Sequence, residues 1–493
     1  MGRGGNTPVG CPCRGKTDMI EQAYGCDGVF SGKARTPCPP CTLSMITRRV
    51  ISTKLRNMKA FIKTYGCQMN VHDSQRMTEI LVSLGYEITS VMEEASLILV
   101  NTCSVRQNPE NKVYSFLGNL HRIKQRNPDL IIGVAGCVAQ QVGVGILKRN
   151  ADVDMVFGPD QFFRLAELIE AARNGERRVL TDWSPRDEAH RNFVPEVWLE
   201  AGHVEHCKAS IAIMKGCNNF CSFCIVPYVR GREISRDPDN VLREARALIE
   251  KGAKEIWLLG QNVNSYDAGG YGFYELLEAA AQLPLKRLRF TSPHPKDWDN
   301  ALSDLMAARP MICNHLHLPL QSGANRILHL MNRHHRIEDY LDKVAYMKSV
   351  NPGIEISTDL IVGYPTETEA EFDDTLRVLE EVRYSQVFSF MYSPRPGTRA
   401  AEMEDDVPRE VKEERLQRVI ALQARIDREQ LAGYVGSTQE LLIDGVHPKQ
   451  PGTVHGRTDG FRPVSVVDPE LKVGDMVEVR ITGYRGHWLE GER

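Results

Sequence analysis

Four short apolar runs in this chain lead straight into cysteine, and that placement restricts the fold more than any other feature. Lys59–Thr64 runs into Cys67, residues 97–100 into Cys103, and residues 130–135 into Cys137. A fourth run, 210–215, leads into Cys217, Cys221 and Cys224. Helix-length segments, 73–84 and 108–125, separate the first three runs. Strands alternating with helices make a parallel sheet with covering helices. In such sheets ligands sit beyond the carboxyl ends of the strands. Cysteines that recur at those ends therefore share one edge.

The chain has 493 residues, 42% hydrophobic and 25% charged. That is the balance of soluble globular protein, and the length suggests several domains. No apolar run reaches the ~20 residues that span a bilayer. The opening MGRGGNTPVGCPCRG lacks the apolar segment of a secretory signal. The expectation is a cytoplasmic protein with no membrane partner. Its thirteen cysteines then stay reduced and serve metal or redox chemistry. A formal net charge of −3 excludes a polybasic tail but not a local basic groove.

Composition and periodicity divide the chain. Residues 1–57 are rich in Gly, Pro and Cys (Cys11, Cys13, Cys26, Cys38, Cys41) and show no apolar period. They read as a disordered leader or a mis-assigned start, because these spacings form no standard zinc set. Residues 58–174 read as an amino-terminal parallel-sheet βα domain, and 175–202 as a polar linker. Residues 203–432 carry six strand candidates: 210–215, 255–259, 288–291, 315–320, 355–362 and 387–392. A partial (βα)6 barrel accounts for them better than an eight-fold one. Residues 433–493, with short strands and glycine turns, read as a small all-β, OB-like barrel. The fold class is α/β.

Cys217, Cys221 and Cys224 put three soft thiolate donors in one loop, which suits an iron–sulfur cluster or zinc. Structural zinc needs a fourth ligand, and Cys207 lies on the far side of the strand. Three ligands on a four-iron cluster leave one iron open. Cys67, Cys103 and Cys137 come together if three successive strand ends converge. The plain alternative is three unrelated core cysteines.

The loop GCNNFCSFC resembles the signature of radical S-adenosylmethionine enzymes. Over residues 58–493 the chain resembles the methylthiotransferase family of those enzymes. The runs that carry the resemblance are TYGCQMN (64–70), NTCSVR (101–106), GCNNFCSFCIVPYVRGREISR (216–236), LLGQNVNSY (258–266), HLPLQSG (317–323), DLIVGYPTET (359–368) and FSFMYSPRPGT (388–398). The resemblance implies two 4Fe-4S clusters: an auxiliary one on Cys67, Cys103 and Cys137, and one on Cys217, Cys221 and Cys224 that binds S-adenosylmethionine. It implies a carboxy-terminal TRAM domain. GQNVNSY is similar to the tRNA-modifying branch. The implied activity is methylthiolation of C2 of N6-(dimethylallyl)adenosine at position 37 of tRNA, using two S-adenosylmethionine and the auxiliary cluster as sulfur carrier. The same chemistry on threonylcarbamoyl-adenosine tRNA or a ribosomal-protein aspartate stands as the alternative.

No catalytic side chain is assigned beyond the cluster ligands. By resemblance the cofactor contacts are Gln261, Asn262, Ser292, Gln321, Ser322 and Asp359, all at strand ends of the barrel mouth, together with Arg230. Arg230, Arg232 and Arg236 suit a carboxylate or RNA phosphates. His315 and His317 read as sheet histidines. The tail carries slightly more acid than base, so RNA contact there falls to a face of Arg462, Arg480, Arg485 and Trp488. The implied partners are tRNA bearing a prenylated adenosine, its target base splayed from a single-stranded loop, and a reductant such as flavodoxin or ferredoxin. The protein is expected to be a monomer.

Overall fold

The computed structural model describes residues 58–104, 107–185 and 203–493. The expectations for 1–57 and for 186–202 lie outside these residues.

The amino-terminal sheet is entirely parallel. Its strands are β1 (Lys59–Thr64), β2 (Glu87–Ile88), β3 (Leu97–Thr102), β4 (Ile131–Gly136), β5 (Met155–Phe157) and β6 (Arg178–Leu180), in the order β2-β1-β3-β4-β5-β6. Strands β3 and β4 are buried along their whole length, as central parallel strands covered on both faces must be. Period-two alternation sends Leu97 and Leu99 to one face, against Met77 and Leu81 of the helix Gln68–Ser83. Ile98 and Val100 go to the other face, against Val113 and Leu117 of the helix Gln107–Arg126. Strand β6 lies inside the segment read as linker. Three residues, Arg-Val-Leu, are too few to show a period.

The second domain has six parallel strands. They are β7 (Lys208–Ala212), β10 (Glu255–Leu259), β11 (Arg287–Phe290), β12 (His315–His317), β13 (Glu355–Val362) and β14 (Gln386–Met391). They form two sheets, β11-β10-β7 and β12-β13-β14, and a parallel bridge from Leu288 to Ile312 carries the first toward the second. The short pair β8 (Met214–Lys215) and β9 (Ile234–Ser235) runs antiparallel at the foot of the cysteine loop. Local sequence starts the helices: Asp237 accepts from the Asn240 N–H at 3.0 Å, with Pro238 in the first turn.

A helix of 26 residues, Arg409–Tyr434, leads to a closed five-stranded barrel. Its strands are β15 (Thr438–Val446), β16 (Thr453–Arg457), β17 (Pro463–Val467), β18 (Met476–Arg485) and β19 (Trp488–Glu492). This barrel seats on the amino ends of the six parallel strands. Arg287 donates to the carbonyls of Arg457 at 2.7 Å and Glu440 at 2.9 Å. Phe461 enters the floor, 5.3 Å from the Trp257 ring and stacked on His315 at 5.1 Å. Arg462 is buried, pairing with Asp427 at 2.8 Å and Glu355 at 2.9 Å. It is therefore an inter-domain tie and not part of an RNA-facing surface. Trp488 and Arg485 of the expected face are exposed. Among the described residues no helix is long and apolar enough to cross a membrane.

Candidate functional site

Cys67, Cys103 and Cys137 converge because their strands are neighbours in register. Thr64 of β1 stands opposite Asn101 of β3, and Thr102 of β3 opposite Gly136 of β4. Glycine makes the approach close enough. A Cβ on Gly66, whose φ is +142°, would lie 2.5 Å from the Cβ of Cys103. At Gly136, with φ +92°, a Cβ would meet the Thr102 carbonyl at 2.4 Å. Asn70 and Asn101 then lock the loops. Asn70 donates to the Thr102 carbonyl at 3.0 Å, and Asn101 donates to the Asn70 carbonyl at 2.8 Å. The hydrogen bond with Cys103 lowers the Cys67 thiol to about 6, with help from the Arg230 charge. Burial pushes the Cys137 thiol up.

The second set lies in one loop tied to the barrel wall. Cys217 N–H donates to Gly231 at 3.1 Å and Ser222 N–H to Met331 at 2.9 Å. The Ser222 hydroxyl donates to the Leu330 carbonyl and meets the Tyr364 hydroxyl, both at 2.8 Å. Asn332 donates to the Asn219 carbonyl at 3.1 Å and the Phe220 carbonyl at 3.0 Å. Burial pushes Cys217 and Cys224 up to about 12. Such thiols ionise only against a nearby positive charge, and a bound metal centre supplies one.

The two sets meet at one wall. Ile225 and Val229, which follow the second set, pack against Cys137 of the first. Arg230 closes the same helix, Val226–Arg230, and pairs with Asp73 at 2.6 Å. It also faces Cys67 and Cys137. The structure thus puts Arg230 beside the first cysteine set, paired with Asp73. Asp73 on the neighbouring helix supplies the buried counter-charge that draws it there.

The barrel-mouth residues divide by what they touch. Gln261 accepts from the Gly216 N–H at the root of the cysteine loop. Asn262 donates to Asp297 at 2.8 Å. The Gln261 amide nitrogen and the Asn262 amide oxygen are buried without a partner, as groups that await a ligand are. Ser292 and Gln321 sit at positive φ, +57° and +71°. Gln321 N–H donates to Asp359 at 2.9 Å, and the buried Ser322 hydroxyl accepts from the Ala324 N–H at 3.3 Å. The Gln321 backbone ties this strand end to its neighbour, and Ser322 closes a local turn. The Asp359 carboxylate meets His317 at 3.3 Å, and His317 also bonds Ser357 at 3.0 Å.

Sequence reasoning missed Arg333, which donates to the Cys221 sulfur at 3.4 Å, and Asp73. Asp73 opens a segment that its apolar period already explained as a helix, and Arg333 lies in a short polar turn between two helices.

Among the described residues, no three or more Cys, His, Asp or Glu gather around a point as a lone metal ion requires. A cubane spreads its ligands over separate corners and needs only that soft donors face one space. Two all-thiol triplets fit that chemistry.

A domain described as an uncharacterized protein family, UPF0004, matches residues 59–158; the radical SAM superfamily matches 211–379 and the TRAM domain 433–492. A radical S-adenosylmethionine methyltransferase, TsrM from Kitasatospora setae, shares the fold with a TM-score of 0.53 at 16% identity, over 70% of this chain and 77% of that one. Fold and cysteine loop together define a radical S-adenosylmethionine protein. The chain is 44% identical to a tRNA-2-methylthio-N(6)-dimethylallyladenosine synthase of Trichlorobacter lovleyi, over 89% of this chain and the whole of that protein. It is 44% identical to that of Syntrophobacter fumaroxidans, over 88% of this chain and 95% of that protein. It is 41% identical to that of Bacillus subtilis, over 88% and 85%. The chain belongs to the tRNA-2-methylthio-N(6)-dimethylallyladenosine synthase family.

Proposed function

We propose that this protein methylthiolates C2 of N6-(dimethylallyl)adenosine at position 37 of tRNA, with one 4Fe-4S cluster on each cysteine triplet. The observation that carries the reading is the meeting of two three-thiol sites at one wall, joined through Val226–Arg230. When bound, the two clusters and two S-adenosylmethionine supply the radical that takes hydrogen from an unactivated carbon, the methyl group and the sulfur. Acid–base side chains alone could not perform this step, because the C2 hydrogen is not acidic.

The chain's own residues bind and orient. Gln261 and Asn262 present an amide donor and an amide acceptor at the mouth. The five-stranded barrel covers the floor through Phe461, and the target base, splayed from the anticodon loop, would enter from the mouth. A one-electron protein donor of the flavodoxin or ferredoxin class, a cytoplasmic setting and a monomeric state complete the reading.

Anaerobic turnover with dithionite and prenylated tRNA tests it. Cys103→Ala should still form 5′-deoxyadenosine but make no methylthio nucleoside, whereas Cys221→Ala should form neither. Normal methylthio product from the Cys103 variant would overturn the sulfur-carrying role of the first triplet.

A further inference from the structure

Arg333 presents an imbalance of charge. It is buried, with 5% of its surface exposed. It donates to the Cys221 sulfur at 3.4 Å and to the Pro319 carbonyl at 2.8 Å, and its Nε has no partner. Among the described residues no carboxylate lies within ion-pair distance of it. The other buried arginines of the core each have one: Arg230 has Asp73, Arg289 has Glu255, Arg415 has Glu367 and Arg462 has Glu355. A buried guanidinium without an anion costs several kcal/mol by general estimate, so native structures pair it.

The anion it faces is the thiol set itself. Its guanidinium touches the Cys221 sulfur at 3.4 Å. Its neighbours repeat the sign of the field. His294 and His335, with ring centroids 5.8 Å apart, are both held neutral, first by burial and next by Arg333. Arg333 is thus a buried cation in direct contact with a thiol of the second set.

We propose that Arg333 is the resident counter-charge of the Cys217–Cys221–Cys224 centre and raises its reduction potential. This rests on the assignment of a cluster to that triplet. Reduction adds one electron, and so one negative charge, from a one-electron donor; a fixed cation 3.4 Å from a ligand sulfur stabilises the reduced form more than the oxidised form. Arg333 is a positioning residue, because it acts through the ligand and not on the substrate.

The test uses the full chain carrying Cys67→Ala, Cys103→Ala and Cys137→Ala, so that only the barrel centre reports. Iron is counted after anaerobic reconstitution, and the midpoint is read by an EPR-monitored dithionite titration. Arg333→Gln should shift the midpoint to more negative potential, and Arg333→Lys should restore most of the shift. Iron lost from the Gln variant but retained by the Lys variant supports the same role. An unshifted Arg333→Gln midpoint overturns the proposal. So does an Arg333→Lys variant that loses iron or falls as far as Gln. A parent chain with no iron would overturn the cluster assignment itself, and this proposal with it.

Discussion

Arg230 and Asp73 face each other across 2.6 Å in the interior, one on the helix that trails the second cysteine set and the other on the helix that leaves the first. The pair is a strut between two domains. Arg76 and Arg236, which share Glu244, and Lys215 with Asp160 at 2.5 Å extend the same seam.

Removing one end of the strut strands the other. Arg230→Gln or Asp73→Asn should destabilise by on the order of 3–5 kcal/mol, the usual result of orphaning a buried charge. The double variant should lose less than the sum of the singles. Thermal unfolding of the three variants measures the coupling. Additive losses would mean that the two residues act independently.

Arg462 is the corresponding tie at the other end of the barrel. Arg462→Ala leaves Glu355 and Asp427 buried without their cation and should also cost about 3–5 kcal/mol. Arg485→Ala, at a side chain 87% exposed, should change stability by about 0.5 kcal/mol or less. Equal effects of the two substitutions would contradict the seating of the five-stranded barrel on the floor.

Acid should loosen the mouth. Burial, followed by the Arg333 charge, pulls His335 down to about 4, while an unfolded histidine titrates near 6.5. Between those values the unfolded chain binds a proton that the folded chain refuses. Stability is therefore full above about pH 6.5 and is lost as pH falls toward 4, by about 2 kcal/mol at pH 5. His335→Gln keeps a donor for the Arg333 carbonyl, now at 3.0 Å, and should flatten the pH dependence of the thermal midpoint. An unchanged slope would assign the acid sensitivity elsewhere.

A chain beginning at Met58 should bind as much iron and turn over as fast as the full chain, because residues 1–57 lack the apolar period of a core segment. Loss of iron on this truncation would make ligands of the cysteines in that segment, Cys38 and Cys41 among them.

What was legible in the sequence was what repeats. The alternation of apolar runs with helices, each run leading into cysteine, placed β1, β3 and β4 and the convergence of Cys67, Cys103 and Cys137. The six parallel strands were visible for the same reason. Pairings between distant segments left no local trace. Arg230 read as a mouth residue because its neighbours in the chain lie at the mouth, yet its partner Asp73 is 157 positions away. Arg462 read as a surface arginine in a polar barrel, and only the seating of that barrel buries it. Gln321 and Ser322 stood at strand ends, where a ligand contact and a backbone brace look alike in sequence.

The floor of the barrel carries a consequence for how the protein is made. Phe461, which fills it against Trp257 and His315, belongs to a domain made after all six parallel strands. Until then Trp257, Arg289 and Glu255 line an unfinished hole, although every cysteine has long since emerged. Domains emerge and fold in order from the amino terminus, so cluster loading can precede closure of the interior. A chain cut short before Phe461 would carry both cysteine triplets and still leave the Trp257 ring without its cover, a fault that quality-control proteases would meet as exposed apolar surface.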